Sequence, residues 1–149
     1  MHFNLNNLFT DQLSADPNFE NSRRQVIQGY YSFVTPKETA KPELIHFSDE
    51  MLEALGISKE EAHAKEFLNV FNGNAVWSGT HPYAMLYGGH QFGHWAGQLG
   101  DGRAINLFEI DHNDKHWAVQ LKGAGETPYS RSADGLAVLR SSIREYLMS

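Results

Sequence analysis

Hydrophobic and polar positions alternate most regularly between residues 103 and 122. Arg103-Ala-Ile-Asn-Leu-Phe-Glu-Ile110 and His116-Trp-Ala-Val-Gln-Leu-Lys122 read as two strands of an antiparallel hairpin, joined by the polar loop Asp111–Lys115. In the second strand Trp117, Val119 and Leu121 fall on one face, while His116, Ala118, Gln120 and Lys122 fall on the other. Lys122 is therefore expected to project away from the apolar face, where a cleft would lie. Residues 123–133 form a loop rich in Gly, Ser and Thr. Asp134-Gly135 is expected to open a helix whose apolar stripe is Leu136, Leu139, Ile143, Tyr146 and Leu147. Glu145 shares its face with Val138, Ser141 and Ser142, small neighbours that leave room for a long lysine side chain.

Upstream the pattern is less regular. Residues 1–35 show no clean period, and Asp11–Asn21, broken by Pro17, reads as loop or short helical turns. Gln28–Val34 suits a short strand or extended segment ended by Thr35-Pro36. Ser48 is an N-cap for a helix over Asp49–Leu55 that Gly56 stops. Ser58 and Glu61 form a capping box for the next helix, with Gly73 at its end and Phe67, Leu68 and Phe71 as its apolar stripe. From Trp77 to Trp95 aromatics, glycines and histidines dominate. Pro82 at a first helical position predicts one short helix there, ended by Gly88-Gly89.

A chain of 149 residues suits one domain, and 41% hydrophobic with 20% charged residues is ordinary for a folded protein. The formal net charge of −6 argues against a general nucleic-acid surface, so any anion site must be a local concentration of Arg, Lys and backbone N–H groups. With no cysteine, disulfides, thiolate catalysis and cysteine-based zinc sites are excluded. Neither a signal peptide nor a membrane span is evident, which makes a cytoplasmic protein the expectation. Arg144-Glu-Tyr-Leu-Met-Ser149 stands inside a helical pattern without a terminating glycine, and the chain is expected to be part of a longer protein.

The candidate chemistry lies in Gly97–Glu145. Glycines 97, 100 and 102 would let a turn expose consecutive N–H groups to a phosphate, with Arg103 adding a fork of donors. The alternative is a hairpin turn that needs positive φ, and composition alone favours it. Lys122 and Glu145 are each surface residues in the plain reading; together they match a site in which a strand lysine holds phosphates and a helix glutamate orients it. His90 and His94 have the spacing of a zinc-protease helix but lack its glutamate, so histidines packed in an aromatic cluster are the better reading. Arg140 and Arg144 read as a solvated face.

At Tyr87-Gly-Gly-His-Gln-Phe-Gly93, Gly97-Gln-Leu-Gly-Asp-Gly-Arg-Ala104 and Gln120-Leu-Lys-Gly-Ala-Gly-Glu-Thr-Pro-Tyr-Ser-Arg131 the chain resembles the selenoprotein O family, also called YdiU. Asp134-Gly135 and Ala137-Val-Leu-Arg-Ser-Ser-Ile-Arg-Glu145 extend the resemblance. It implies an α+β fold, the N-terminal part of a protein-kinase-like fold. Its antiparallel strands, Gly-rich hairpin, Lys strand and αC-like helix would follow a family-specific, mainly helical segment. Residues 1–95 would be that segment, packing on the lobe, and 96–149 the kinase-like nucleotide-binding elements, truncated at the αC-like helix.

The resemblance further implies ATP bound in a flipped orientation and transfer of AMP to Ser, Thr or Tyr hydroxyls of proteins. The nucleotide contacts then fall on Gly100, Gly102, Arg103, Lys122, Asp134 and Gly135, with Lys122 and Glu145 as a supporting ion pair. The family's catalytic aspartate and its Mg or Mn ligands would lie past Ser149, so no catalytic or metal residue is expected within these residues and the chain alone is expected to be inactive. A kinase-like phosphotransferase and a non-catalytic nucleotide-binding or scaffold module are the alternatives. Two positions depart from the family: Phe108 stands where glycine is usual and Leu136 where arginine is common. Gln120, two before the lysine, is expected to suit phosphate or other polar contacts better than an adenine face.

Overall fold

Strand β4, Ala104–His112, is buried along residues 104–110, and the chain is organised around it. In the computed structural model, which describes residues 1–132 and 134–148, β4 pairs antiparallel with β5, Lys115–Lys122. The turn between them is Asn113-Asp114, both with positive φ (50° and 57°). This is the backbone twist a two-residue hairpin requires, and Asn and Asp tolerate it. The hairpin is thus as expected, with tighter strand ends. The parity of β5 also holds: Trp117, Val119 and Leu121 are half-buried, and His116, Ala118, Gln120 and Lys122 are exposed.

On its other edge β4 meets β2, Tyr83–Gln91, through Tyr83 opposite Asn106. The first residues of β2 also pair with β1, Tyr31–Phe33, while Leu86–Gln91 pair with β3, His94–Gly100. The result is a five-stranded antiparallel sheet in the order β1-β2-β4-β5, with β3 branching from β2. A short helix after Pro82 was expected; the segment is instead β2. Proline fits there because it precedes the strand, and the glycines at 88 and 89 sit by a bulge in the β2–β3 ladder rather than ending a helix. The end of this hairpin is Phe92-Gly93, with Phe92 at φ 53° and almost fully exposed.

Helix α1 (Leu8–Gln12) precedes β1, and α2 (Asp49–Leu55), α3 (Lys59–Ala62) and α4 (Lys65–Phe71) lie between β1 and β2. Helix α2 has the predicted ends: the Ser48 hydroxyl accepts the Met51 N–H, and Gly56 closes it at φ 70°. The Ser58–Glu61 capping box is also present, but the helix it opens stops after one turn. Ala64 is extended (φ −75°, ψ 149°) and separates α3 from α4. Alanine has no intrinsic reason to leave a helix. The break lets Ala62 from one piece, and Phe67 and Val70 from the other, reach the same core. Among the described residues no helix is long and apolar enough to cross a membrane.

That core joins Phe3, Leu52, Ile57, Ala62, Phe67 and Val70 to Leu107, Phe108 and Ile110 of β4, with Trp117, Val119 and Leu121 of β5 packed against it. A bulge between Asn106 and Phe108 shifts the side-chain parity of β4, so Leu107 and Phe108 both join this core while Ile105 joins a second one with Val34 and Ala84. The N-terminal residues lie along β4 beyond the end of β2. Leu5 bridges Ile110, Asn6 N–H donates to Glu109 O at 3.0 Å, and Asp111 N–H donates to Asn4 O at 3.0 Å. Glu109 is buried and satisfied there, accepting from Tyr83 Oη (2.9 Å) and Phe9 N–H (3.2 Å), with His116 Nε2 at 3.1 Å. Burial, then the Glu109 bond, pushes the Tyr83 hydroxyl far above its usual titration range.

Phe108 is 1% exposed and its ring lies 5.2 Å from that of Phe3 and 6.5 Å from that of Phe71. Phe108→Ala is expected to lower unfolding stability by about 3–5 kcal/mol, read as a drop in urea midpoint with an unchanged slope. A loss below about 1 kcal/mol would mean that the core closes around the gap.

Candidate functional site

The corner Gly100–Arg103 carries the chain from β3 to β4, and it is clamped from two sides. Asp101, buried, accepts from Met85 N–H (2.9 Å) and Asn106 Nδ2 (3.0 Å), while its own N–H donates to Met85 O (2.9 Å). From the opposite side Thr127 Oγ1 donates to Asp101 O (2.7 Å) and Ser130 Oγ to Gly102 O (2.5 Å). A row of free N–H groups is therefore not there: the Asp101 and Gly102 amides are already spent, the latter on Gly100 O, and of the three glycines only Gly97 (φ 73°) has the positive φ that composition favoured. Gly97 lies within β3. Gly100 is needed for close approach instead, since a Cβ there would lie 2.7 Å from Met85 O and run into the Tyr129 ring. Gln120 donates to Asn106 Oδ1 at 2.9 Å, which makes it part of the clamp behind the corner.

A second network braces the Thr127–Ser130 loop. Arg24 N–H donates to Pro128 O, and its guanidinium pairs with Asp16 at 2.5 Å while also donating to the Asn18 and Ser22 carbonyls. Ser32 Oγ donates to the same Asp16 oxygen at 3.0 Å, leaving the Tyr129 hydroxyl to donate to Ser32 (3.0 Å). Burial pushes the Asp16 carboxyl up, but the bonds from Arg24, Asn18 N–H and Ser32 outweigh it and hold the group below its ordinary value.

These two networks wall a cleft of about 780 Å³. Gly100, Gly102, Arg103, Lys122, Gly135 and Glu145 all line it. Lys122 Nζ and Glu145 Oε2 are 3.7 Å apart, both side chains 56% exposed. Asp134 is the expected site residue that does not line this cleft. Its Oδ1 accepts the Leu136 N–H, and it borders an adjoining pocket with Lys37 and Glu126. Nor do residues 134 and 135 open the helix. Leu136 bridges Ala124, and α5 runs Leu139–Met148. Gly135 stands at φ 72° against the Gly125 carbonyl, a backbone crossing that no side chain fits and that holds this loop off the helix. Ala133 and Ser149, the last residues of the expected loop and helix, lie outside the described residues.

Sequence reasoning missed Arg23, Arg24 and Arg131, which also line the cleft. With Arg103 and Lys122 they make five of the chain's twelve lysines and arginines, in a protein of net charge −6. Arg24 is consumed by Asp16, and Arg23 by Glu126 at 3.1 Å. Arg131 donates to Gln91 Oε1 at 2.7 Å, and the guanidinium of exposed Arg103 has no partner among the described residues. Tyr87 and Tyr129, also on the wall, have hydroxyls raised above their usual range by burial first and the Asp101 charge among lesser causes. Arg131 follows the Thr-Pro-Tyr-Ser turn directly, a cue that the sequence carried. Arg23 and Arg24 come from a segment without periodicity, which offered none. His90 and His94 sit on opposing strands, not one helix face, and His90 packs edge-on against Trp95 at 5.1 Å.

Comparison with known proteins gives one answer. Residues 13–149 match the family model described as protein adenylyltransferase SelO. A protein nucleotidyltransferase YdiU from Flavobacterium johnsoniae is 61% identical over 143 residues, covering 96% of this chain and 27% of the relative. Others so named, from Methylobacillus flagellatus and Tolumonas auensis, are each 52% identical and cover 97% and 100% of this chain. The chain spans about 28% of the length of these two relatives.

The Asp16 bonds make the wall pH-dependent. A carboxyl held below its ordinary 3.8 contributes stability that is full above that value and is lost as pH falls through the folded-state value. Asp16→Asn should cost about 1.5–3 kcal/mol near neutrality, and the gap from wild type should close in acid. Urea midpoints measured between neutrality and strong acid check this; a gap that widens in acid contradicts it.

Proposed function

This chain belongs to the protein adenylyltransferase SelO family, and on that premise we propose that its cleft binds the phosphates of ATP for transfer of AMP to protein hydroxyls. The observation that carries this reading is the charge of the cleft: of its five basic residues Arg23, Arg24 and Lys122 are each matched by a carboxylate, which leaves Arg103 and Arg131 as net positive charge on the lining in an acidic chain. Positive charge left over in a cleft of an otherwise acidic chain suits an anionic ligand.

Arg103, at the mouth of the clamped corner, offers its unpartnered fork to phosphate oxygens. Lys122 adds a point charge, and Glu145 holds that ammonium toward the cleft. Gly100 and Gly102 let the loop that carries Tyr129 close on the corner, and Gly135 lets its own loop cross at Gly125, so the three glycines shape the wall that the phosphates would face. Asp134, beside the cleft, would take part through its neighbouring pocket. A bound Mg or Mn would spread the negative charge of the phosphates. In the transfer an acceptor Ser, Thr or Tyr oxygen bonds to the α-phosphorus, the α–β bridging bond breaks, and pyrophosphate leaves as the hydroxyl proton passes to a base. Glu145 is committed to Lys122, so that base and the metal carboxylates would come from elsewhere in the longer relatives' architecture. AMP transfer itself is accordingly proposed for the longer protein, and nucleotide binding for this chain.

Titration of this chain with MgATP by calorimetry tests the reading. Lys122→Ala should weaken binding about ten- to hundred-fold, the loss expected for one charge-assisted contact. Equal affinity in the variant, or no binding by the wild type, sinks it. In a full-length relative, mass spectrometry of a target protein should find added AMP rather than added phosphate.

A further inference from the structure

Helix α5 presents Glu145 to Lys122, yet none of its residues is buried. Leu139, Leu147 and Met148 are 61%, 73% and 82% exposed. Packing of an apolar face normally holds a surface helix in place, and a ten-residue helix is marginal on its own. The Lys122–Glu145 pair cannot substitute for that packing. At 3.7 Å and 56% exposure on both sides it contributes at most about 1 kcal/mol. Something else must set where the end of α5 lies.

Tyr146 is the next residue after Glu145. Its hydroxyl shares a hydrogen bond of 2.6 Å with His46 Nδ1, and the two rings meet edge-on with centroids 5.5 Å apart. His46 in turn lies beside Phe47, whose ring packs against His63 at 5.4 Å and belongs to the edge of the main core. The stretch 44–47 runs directly into the N-cap of α2, and Leu44 and Phe47 both pack against the main core, so exposed His46 is flanked by anchored side chains. The contact spans 100 residues of sequence and reaches α5 one residue from the carboxylate that faces the cleft.

We propose that His46 is a positioning residue for the nucleotide site: by holding Tyr146 it fixes the rotation and height of α5, and through them the reach of Glu145 to Lys122. This rests on the reading of the cleft given above. His46 lies outside the cleft lining, so its effect on binding runs through Glu145.

The test uses Tyr146→Phe, which removes the hydroxyl and keeps the ring, His46→Ala, and His46→Asn, which places an amide group near the position of Nδ1. Hydrogen exchange of the ligand-free chain is expected to speed up about five-fold at residues 143–148 in the first two variants, the loss of one ordinary hydrogen bond. It should stay near wild type in His46→Asn and be unchanged throughout β4 and β5. The dissociation constant for MgATP should rise by a similar factor in Tyr146→Phe, and that rise should vanish when Glu145→Gln is already present. Unchanged exchange in α5, or a rise that persists in the Glu145→Gln background, overturns the proposal. Should the wild-type chain bind no MgATP, the reading of the cleft falls, while the exchange measurement still decides whether His46 holds α5.

Discussion

The buried carboxylate of Asp101 is the constraint on which the cleft depends. It is taken out of water at a point where three strands and a loop converge, and every hydrogen bond it accepts comes from a different piece of chain. A charge so placed is tolerable only while its partners stay in position. That requirement makes the corner rigid: Met85 fixes it to β2, Asn106 to β4, and the Thr127 and Ser130 hydroxyls to the loop that forms the facing wall. The exposed Arg103 follows immediately, so its starting point is set by the most constrained residues nearby.

Two kinds of ion pair are built around this corner, and their magnitudes separate their roles. Arg24–Asp16 is largely buried, at 16% and 7% side-chain exposure, and is supplemented by a hydroxyl and backbone groups. It braces the wall. Lys122–Glu145 is open to water and weak. It adds little to stability, which leaves orientation of the ammonium as its physical effect. The wall of the cleft is thus tightly fixed on one side and loosely closed on the other.

Much of this was legible in the residues. The β4–β5 hairpin follows from alternation, and the parity of β5 puts Lys122 on the open face. The ends of α2 follow from Ser48 and Gly56. What could not be read has a physical cause in each instance. Pro82 and Gly88-Gly89 suggested a helix because their local preferences suit helix ends, but pairing with β1, β3 and β4 decided the segment. The break at Ala64 has no local signal at all, since it serves core packing. The glycines at 100 and 102 were legible as special, but neither free amides nor positive φ is what they supply: they make space for Tyr129. Arg23 and Arg24 reach the cleft only because Asp16 and Pro128 place them there, a tertiary fact that no spacing encodes.

The N-terminal residues have a consequence for how the molecule is made. Asn6 finds its partner in Asp111, 105 positions later, and Phe9 N–H finds Glu109 after 100. During synthesis, residues 3–9 leave the ribosome long before β4 exists. Phe3, Leu5 and Phe9 must therefore wait in water until the strand that receives them has emerged. Loop closure over such a span is entropically costly and slow relative to local helix formation. The first residues of the chain can reach their place only once β4 is there to receive them.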